Sequence, residues 1–294
     1  MSAHRRILIT GAGGFIGRRL AKVLAETGAD FRTWTRADGD LRDAGAVQSA
    51  LGQMQPTLIY HLASQMPSAD SEGWSRIADE QRMLSNLAYS MPGHGQLIYS
   101  GSMAEYGKSG ILSEETPCTP DTGYGCAKFS GTNLCLALRA QCSLDIRVAR
   151  LFGVYGPGEA PGRLLPALIE RLRNAQPVPL SDGAQLRDFI HVDDVCTALS
   201  AFAAAPEKQS PAISNIGTGA GVTVREVCER VANILGAAPD LLQFGALPRR
   251  AVDQDCLVAD VQRMQQFTAP PAQRWLDNDL SQQIVRSMIA YHRA

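Results

Sequence analysis

Two side chains with complementary acid–base chemistry, Tyr124 and Lys128, lie four residues apart in a segment that we predict to be helical over 124–141. A spacing of four places both side chains on one face of a helix. A phenol is a weak acid with an ordinary pKa of about 10, so it exchanges protons at neutral pH only where a nearby cation favours the phenolate. Lys128 supplies such a cation, and the pair is therefore a candidate proton donor and acceptor.

Ser102 lies upstream in the string YSGSMAEYG at 99–107, just after a strand predicted over 96–100. Ligands of open parallel sheets bind beyond the C-terminal ends of the strands. Ser102 is thus placed to hydrogen-bond a reacting oxygen, and Ser100 is a candidate second contact to cofactor or substrate. The alternative is a serine-rich turn whose hydroxyls bond the local backbone.

A glycine-rich loop, GAGGFIG at 11–17, directly follows a strand predicted over 7–10 and begins a helix predicted over 15–27. Gly11 permits a tight turn, Gly14 lets the backbone approach a pyrophosphate, and Gly17 lets the helix pack close to the sheet. The start of the helix, which includes Phe15 and Ile16, presents unpaired N–H groups and a partial positive charge. The loop therefore predicts a dinucleotide site.

The G-x-x-G-x-x-G spacing of this loop resembles the extended branch of the short-chain dehydrogenase/reductase superfamily. The resemblance implies a Rossmann fold and a catalytic triad of Ser102, Tyr124 and Lys128, with an oxidised nicotinamide ring as a second positive charge near the tyrosine. It also implies further cofactor contacts along the strand ends, including a segment similar to the H-x-A-[AG] string. These are Asp40 and Leu41 beside the adenine, then Leu62, Ala63, Ser64, Ser100, Tyr124, Lys128 and Leu151.

The end of the second predicted strand, 31–35, indicates which nicotinamide cofactor binds. An NAD site usually has an acid there, roughly 20 residues after the loop, that accepts from the ribose 2′-OH. This chain has Thr35 followed by Arg36, and a hydroxyl with a guanidinium suits the 2′-phosphate of NADP. We therefore expect NADPH, with NAD as the alternative if Arg36 is only solvated or if Asp38 or Asp40 acts as the acid.

Several strings in the second half extend the resemblance over essentially the whole chain. RDFIHVDD at 187–194 is similar to a segment of nucleotide-sugar epimerases, dehydratases and reductases, as are RLFGVYGP at 150–157, NIGTG at 215–219, PRRAVD at 248–253 and VAD at 258–260. Carried over by position, Arg187 and Arg250 hold the diphosphate of a nucleoside-diphosphate sugar, because a guanidinium binds phosphate oxygens bidentately. The alternatives are an ion pair of Arg187 with a neighbouring aspartate (188, 193 or 194) and a solvated Arg250. His191 is interpreted as a packed structural residue.

Two positions depart from the family pattern. Gly153 stands where relatives have an asparagine that helps to hold the substrate phosphates, although the backbone at Gly153 remains a candidate substrate contact. Relatives also carry N-x-x-G-T where this chain has EQRML at 80–84.

The residues after Ser102 bear on the reaction. The 4,6-dehydratases have an Asp-Glu pair after the catalytic Ser or Thr, whereas this chain has Met103 and Ala104, which cannot exchange protons. Glu105 comes one residue later and points elsewhere if the segment is extended. The S-x-x-E-Y-G spelling resembles reductases of 4-keto-6-deoxy nucleotide sugars, so we expect an NADPH-dependent ketoreductase with Tyr124 as proton donor. The alternatives are a 4-epimerase with tightly bound NAD and a non-catalytic dinucleotide-sensing protein.

The elements that must position these residues alternate between strand and helix. Such alternation predicts an α/β fold with a doubly wound parallel sheet. Residues 1–152 are predicted to form the dinucleotide-binding domain, to which 185–205 return, and 153–184 with 206–294 form a substrate-binding lobe. The predicted strands cover 7–10, 31–35, 57–62, 96–100, 145–150, 189–192 and 212–216; the predicted helices cover 15–27, 44–53, 74–91, 124–141, 195–204, 223–235 and 276–292.

Composition excludes several classes of protein. The 28 Lys and Arg nearly balance the 29 Asp and Glu among 294 residues, which argues against a nucleic-acid partner. No apolar run reaches the ~18 residues of a membrane span, and the start at Met1 does not resemble a signal peptide, so we expect a cytoplasmic protein. The 7 cysteines lack metal-ligand spacing, so we expect reduced thiols and no metal. By resemblance, we expect a homodimer through the helices at 74–91 and 124–141.

Overall fold

A computed structural model describes residues 5–64, 73–250 and 253–291 of the chain. Three segments named in the sequence analysis lie outside the described residues. They are residues 251 and 252 of the PRRAVD string, the start of the chain as far as His4, and the predicted helix end at His292. The predicted strands and helices fall close to their predicted positions. The structure adds a short strand at Gly110–Leu112, a helix at Leu164–Arg173 and several short strands after residue 150, none of which was predicted.

The strands are β1 (Ile7–Thr10), β2 (Phe31–Trp34), β3 (Leu58–His61), β4 (Gln96–Ser102), β5 (Gly110–Leu112), β6 (Asp145–Leu151), β7 (Gly153–Tyr155), β8 (Val178–Leu180), β9 (Leu186–Arg187), β10 (Phe189–His191), β11 (Ile213–Ile216), β12 (Val222–Thr223), β13 (Leu242–Phe244) and β14 (Cys256–Ala259). The helices are α1 (Phe15–Glu26), α2 (Ala44–Met54), α3 (Gly73–Ser90), α4 (Gly123–Gln141), α5 (Leu164–Arg173), α6 (Val192–Ala204), α7 (Val224–Leu235) and α8 (Asn278–Tyr291).

Six parallel strands form the central sheet in the order β11-β6-β4-β3-β1-β2. Successive side chains of a strand point to opposite faces, and each face here has its own core. Ile7 and Ile9 of β1 pack with α1 and α6, whereas Leu8 packs with α2, α3 and α4. Helices cover both faces, β1 and β3 are buried along their whole length, and the predicted doubly wound α/β fold is confirmed.

A second apolar core lies in the C-terminal half. It is built from α5, α7 and α8 together with β8 and β13, which pair in parallel. Two smaller sheets, with the strand orders β12-β9-β14-β5 and β10-β7, are separate from the central sheet. The C-terminal half of the chain thus has an apolar core of its own.

The division between the lobes differs from the prediction at one strand. β11 (Ile213–Ile216) pairs with β6 and forms one edge of the central sheet, although the predicted boundary assigned 206–294 to the second lobe. The physical reason is that β11 follows α6, which packs against α1, so the strand continues the alternating order of the first domain. In contrast, β9 and β10 of the segment 185–205 belong to the two smaller sheets.

A buried carboxylate, that of Asp188, joins the two lobes. It accepts hydrogen bonds from the backbone N–H groups of Thr218 (2.9 Å), Gly219 (2.9 Å) and Ala259 (3.2 Å), and from the Thr218 hydroxyl (2.6 Å). The first two donors follow β11 of the central sheet, and Ala259 ends β14. The RDF, NIGTG and VAD strings therefore meet at one structural carboxylate.

Replacing Asp188 with alanine leaves several buried donors without an acceptor. We expect Asp188→Ala to lower the free energy of unfolding by about 3 kcal/mol, since each unsatisfied buried group costs about 1–3 kcal/mol. Urea denaturation followed by circular dichroism measures the change. Asp240→Ala, at an exposed position in the turn before β13, is the control and should change stability by less than about 0.5 kcal/mol. Equal stability of the two variants would contradict the linking role.

Candidate active site

The glycine loop is closed tightly between β1 and α1. Gly11 has φ 70°, and a Cβ added there would lie 2.5 Å from the backbone nitrogen of Ala63. A Cβ on Gly17 would lie 2.3 Å from the Gly11 carbonyl oxygen. Neither position can hold a side chain without moving backbone, so both glycines are required for this turn.

The start of α1 is free to bind an anion. Gly14 is the residue before the helix, and no side chain caps the first turn. The first N–H groups of a helix lack intrahelical acceptors, and those of Phe15, Ile16 and Gly17 lie in that turn. Uncapped N–H groups beside a loop with no side-chain bulk fit the pyrophosphate of a dinucleotide.

The strand ends beside this loop hold the other predicted cofactor contacts. Ala63 lies against the loop and donates its N–H to the Thr10 hydroxyl over 3.5 Å, with Leu62 before it. Ser100 donates its hydroxyl to the backbone carbonyl of His61, so its hydrogen links two strands. Leu151 is buried at the end of β6, two strands away from β3.

A turn after β2 places a carboxylate where the adenosine ribose is expected. Asp38 Oδ2 accepts from both the backbone N–H and the hydroxyl of Thr35, each over 2.8 Å. These hydrogen bonds lower the pKa of Asp38, so the group is an anion. Arg36 is exposed in the same turn. The sequence-based preference for NADP considered Thr35 and Arg36 as a pair and gave Asp38 only a secondary role.

Asp40 and Leu41 follow this turn. Hydrogen bonds from the Arg42 side chain lower the pKa of Asp40 to about 2. Leu41 is buried, and its carbonyl accepts from the Asn86 amide over 2.9 Å. Asn86 lies on α3, so the predicted adenine flank is attached to a core helix.

Ser102 caps a short turn of 3-10 helix, Met103–Glu105, at the end of β4. Its Oγ accepts from the backbone N–H of Ala104 over 3.2 Å, which leaves the hydroxyl hydrogen available to a ligand. Glu105 completes the capping box by accepting from the Ser102 N–H over 2.8 Å. The turn therefore fixes the backbone that carries the predicted catalytic serine.

Glu105 is a structural residue. It has no solvent exposure, and its other oxygen accepts from Arg150 Nε over 2.9 Å. The segment after Ser102 is a 3-10 turn and not the extended chain that the sequence analysis considered, and the turn directs Glu105 to Arg150 and to the Ser102 N–H. The glutamate of the S-x-x-E-Y-G string thus belongs to a buried ion pair.

Helix α4 presents Tyr124 and Lys128 beside this turn. Thr122 caps the helix by accepting from the Gly125 N–H over 3.0 Å. A Cβ on Gly125 would lie 2.3 Å from the Ala104 carbonyl oxygen, so the first turn of α4 contacts the backbone just after Ser102. Tyr124 is half-buried in that first turn, and Lys128 is buried one turn later. The structure thus brings the elements that carry the predicted triad together at the C-terminal edge of the sheet.

Lys128 has a partner that the sequence analysis missed. Its Nζ lies 2.7 Å from Oε1 of Glu80 on α3, and both side chains are almost fully buried. Glu80 also accepts from the hydroxyls of Tyr99 (2.8 Å) and Ser64 (3.1 Å). One feature of the sequence could have indicated this partner: position 80 is a glutamate, where relatives in the family that the chain resembles carry asparagine.

Arg187 and Arg250 converge on one carboxylate. Asp253 Oδ1 lies 3.5 Å from Arg187 Nη2 and 3.1 Å from Arg250 Nη2. Arg187 is half-buried, and burial lowers its pKa, with the Asp253 charge opposing and the Arg250 charge adding to that shift. The predicted alternative partners of Arg187, the aspartates at 188, 193 and 194, are not those observed. The two guanidiniums thus share one anionic partner, Asp253.

Gly153 and His191 have structural surroundings. A Cβ on Gly153 would lie 2.7 Å from the Asp188 carbonyl oxygen, and the Gly153 N–H donates to that oxygen, so Gly153 offers a substrate neither side chain nor N–H. His191 is buried against Tyr155 and accepts the Asp193 N–H at the start of α6. Burial lowers the pKa of His191 to about 4, which agrees with a neutral packed side chain.

A family model described as the NAD dependent epimerase/dehydratase family matches residues 7–217, well over half of the chain. The chain belongs to this family. The resemblance to nucleotide-sugar enzymes of the extended short-chain dehydrogenase/reductase superfamily is therefore confirmed, and with it the assignment to a family of enzymes.

Relatives within the family catalyse different reactions. The dTDP-glucose 4,6-dehydratase of Streptomyces griseus is 27% identical over 271 residues, which cover 81% of this chain and 80% of the relative. The UDP-glucose 4-epimerase of Corynebacterium glutamicum is 26% identical over 300 residues, which cover 89% of each chain. Among solved structures, MoeE5 in complex with UDP-glucuronic acid and NAD has a TM-score of 0.81 at 29% identity, covering 98% of this chain and 99% of MoeE5.

The described residues, 5–64, 73–250 and 253–291, also bear on membrane and metal sites. No helix there is long and apolar enough to cross a membrane. No cluster of three or more His, Cys, Asp or Glu side chains that could hold a metal occurs in those ranges. All 7 cysteines lie within the described residues, and no two of them are joined in a disulfide there.

Asp253 competes with any anion for the two arginines. We expect Asp253→Asn to bind UDP more tightly, by roughly 5- to 20-fold, because removing the carboxylate frees two guanidiniums, and hydrogen bonds to charged groups contribute about 1.5–3 kcal/mol each. Isothermal titration calorimetry with UDP measures the change. Asp255→Asn is the control, since Asp255 contacts Arg249 instead. Weaker UDP binding in Asp253→Asn would mean that Asp253 supports the site and does not compete with the ligand.

Proposed function

We propose that this protein is a nucleotide-sugar epimerase that keeps NAD bound and inverts a hydroxyl-bearing carbon of the sugar. The observation that carries the proposal is the meeting of the Ser102 turn and the Tyr124–Lys128 helix at the sheet edge, with no further acid at the dehydratase positions. Epimerisation needs one group that takes a proton from a hydroxyl and returns it after the carbon is reduced from the other side. A tyrosine with a lysine on the same helix face is sufficient for that exchange.

The chain's own residues divide the work in this proposal. The bound cofactor supplies a reversible hydride acceptor. Tyr124 takes the proton from the sugar hydroxyl and later returns it, while the Ser102 hydroxyl donates to the same oxygen. Lys128 holds a positive charge beside the phenol. Arg187 and Arg250 hold the diphosphate of the nucleotide sugar, so the sugar ring can rotate and present its other face while the nucleotide stays bound.

Dehydration is the less suitable reaction for this site. It requires an acid and a base beyond the triad, and Met103 and Ala104 supply neither. Glu105 is fully buried in its ion pair with Arg150, so it cannot reach a substrate without breaking that pair. The similarity to dTDP-glucose 4,6-dehydratases is therefore assigned to the fold and the cofactor site.

NAD is the proposed cofactor, in place of the NADP that the sequence favoured. The Asp38 carboxylate is held against the backbone of Thr35, at the position where an acid accepts from the ribose 2′-OH of NAD. A 2′-phosphate at the same place meets an anion. The match to MoeE5, which was solved with NAD, is consistent with this choice.

Cofactor selectivity tests the role of Asp38. We expect Asp38→Ser to weaken NADH binding by roughly 10-fold and to strengthen NADPH binding, because the repelling carboxylate is removed while Arg36 remains. Fluorescence titration with each cofactor, on protein freed of bound nucleotide, measures both effects. Asp43→Ser, which exchanges one N-cap side chain of α2 for another, is a control away from the ribose. Tighter binding of NADPH than NADH by the unchanged protein would restore the NADP prediction.

A reductase of 4-keto nucleotide sugars is the second candidate. The exposed guanidinium of Arg36 favours it, since a reductase consumes NADPH from solution and Arg36 is available to a 2′-phosphate. The two candidates differ in a simple way. The epimerase turns over without added cofactor, whereas the reductase consumes one equivalent of NADPH per product.

Turnover without added cofactor is the test of the proposed function. The purified protein should release NAD on denaturation and should interconvert a UDP-sugar and its C4 epimer, followed by proton NMR on UDP-glucose, UDP-glucuronic acid and UDP-arabinose. We expect Tyr124→Phe to lower the rate by about 10²- to 10⁴-fold with NAD still bound, because only the proton exchange is lost. The control is Tyr89→Phe, a 75% exposed tyrosine on α3. Loss of water from dTDP-glucose, or oxidation of NADPH by a 4-keto-6-deoxy sugar, would assign the protein to one of the other two reactions.

We also propose that the protein is a homodimer through the outer faces of α3 and α4, as the resemblance implied. A groove of about 520 Å³ lies between these helices, and Pro120, Phe129 and Leu134 contribute to its apolar lining. Two such faces would bury each other's apolar side chains.

A further inference from the structure

Glu80 joins three parts of the active site. It lies on α3 and is 2% exposed. Its Oε1 accepts from Lys128 Nζ of α4 (2.7 Å) and from the Tyr99 hydroxyl of β4 (2.8 Å), and its Oε2 accepts from the Ser64 hydroxyl after β3 (3.1 Å). Ser64 is one of the predicted cofactor contacts along the strand ends. A carboxylate with a cation and two hydroxyls is satisfied on both oxygens, so its geometry is fixed.

We propose that Glu80 is a positioning residue that keeps Lys128 protonated and directs the rest of its donors toward the cofactor. The inference rests on the proposed function, in which the Lys128 ammonium acts beside Tyr124. An ammonium has three N–H donors, and Glu80 occupies one. The Tyr99 ring lies 4.9 Å from Nζ and provides a second favourable contact for the charge. The remaining donors are directed by these two fixed neighbours.

The need for Glu80 follows from the burial of Lys128. Burial disfavours the charged form of a lysine, and full burial can lower its pKa by several units. Here burial lowers the pKa of Lys128, but the charge and hydrogen bond of Glu80, together with the charges of Tyr124 and Glu105, outweigh that effect. The pKa therefore lies above its ordinary value, and Glu80 has the largest effect among the groups that raise it. Without Glu80, the same burial would favour a neutral amine in the working pH range.

The other titratable groups around Lys128 do not replace Glu80. Tyr124 of α4 and Glu105 after β4 act on it through their charges, and Glu105 already holds Arg150. Burial lowers the pKa of His61 on β3 to about 4, so that ring is neutral. Burial also raises the pKa of the Cys135 thiol of α4 well above its ordinary value, so the thiol is uncharged. Among the described residues, Glu80 alone places an anionic oxygen in contact with the ammonium.

The test is the pH dependence of cofactor binding in Glu80→Gln, which keeps the shape of the side chain and removes its charge. We expect NADH affinity to fall at a pH about one unit or more lower than in the unchanged protein, because burial then acts on Lys128 unopposed. Fluorescence titration with NADH between about pH 6 and pH 10 measures the midpoint. The midpoint of the basic limb of kcat/KM should move in the same direction. Glu170→Gln, at an exposed position of α5, is the matched control and should leave both midpoints unchanged.

Lys128→Met supplies the second arm of the test. NADH binding by Lys128→Met should be weak and independent of pH. Adding Glu80→Gln to this variant should leave its NADH affinity unchanged. The double variant should melt at a higher temperature than Lys128→Met, because it has no unpaired buried charge. An unshifted midpoint in Glu80→Gln, or a shift that persists without Lys128, would overturn the proposal. If Glu80→Gln does not fold, retention of wild-type NADH affinity by Lys128→Met would overturn it equally. The binding readouts use NADH alone, so they remain interpretable if the epimerase proposal fails and the kcat/KM readout is lost.

Discussion

The close contact between α4 and the end of β4 is the constraint on which the rest of the site depends. A Cβ on Gly131 would lie 2.2 Å from the Tyr99 hydroxyl, and one on Gly125 would lie 2.3 Å from the Ala104 carbonyl. Because no side chain separates the helix from the strand, Lys128 is forced out of water and into the sheet. The burial that follows then requires a carboxylate from a third element, and α3 provides it. The geometry of the triad is therefore a result of two glycines as much as of the catalytic residues themselves.

The carboxylates of Glu80, Glu105 and Asp188 are buried and link separate elements of the fold, and each is stabilised by different partners. Glu80 contacts a lysine and Glu105 contacts Arg150, whereas Asp188 contacts no cation in the part of the chain that the structure describes and relies on backbone N–H groups and one hydroxyl. A buried charge without such partners would cost several kcal/mol, so these contacts allow little rearrangement. They join α3 to α4, β4 to β6, and the central sheet to the second lobe. The polar interior thus determines how the lobes are placed, while the apolar cores provide the bulk of the packing.

Local patterns in the sequence were sufficient for most of the fold. The strand and helix positions, the glycine loop and the spacing of Tyr124 and Lys128 depend on residues close in the chain, and the structure has them nearly as predicted. Glu80 and Lys128 are 48 positions apart, and only the tertiary fold brings them together. The boundary error at β11 has the same origin, since a four-residue strand shows no partner in its own sequence.

Two motifs were given a chemical meaning that the structure changes. The S-x-x-E-Y-G string was taken to resemble ketoreductases, and its glutamate, Glu105, is half of a buried ion pair. Thr35 and Arg36 were taken together as a phosphate site, but Thr35 is occupied by Asp38 from the same turn. In both cases the residue type showed that a polar contact was present, but the sequence did not show which residue would be its partner. Spacing predicts which residues share a face, but it does not predict which of them have already used their hydrogen-bonding groups.

The Asp253 contact has a consequence for the lifetime of a bound ligand. Asp253 is tethered three residues from Arg250, so its carboxylate is always present near the two guanidiniums at a high effective concentration. A diphosphate that loosens for a moment meets an intramolecular anion that can take its place, as well as water. Such a tethered competitor shortens residence more than it slows association, because the guanidiniums remain attractive to an approaching anion at a distance. In an enzyme whose substrate and product carry the same diphosphate, such a competitor would speed the dissociation of both, and product would be less able to block the site.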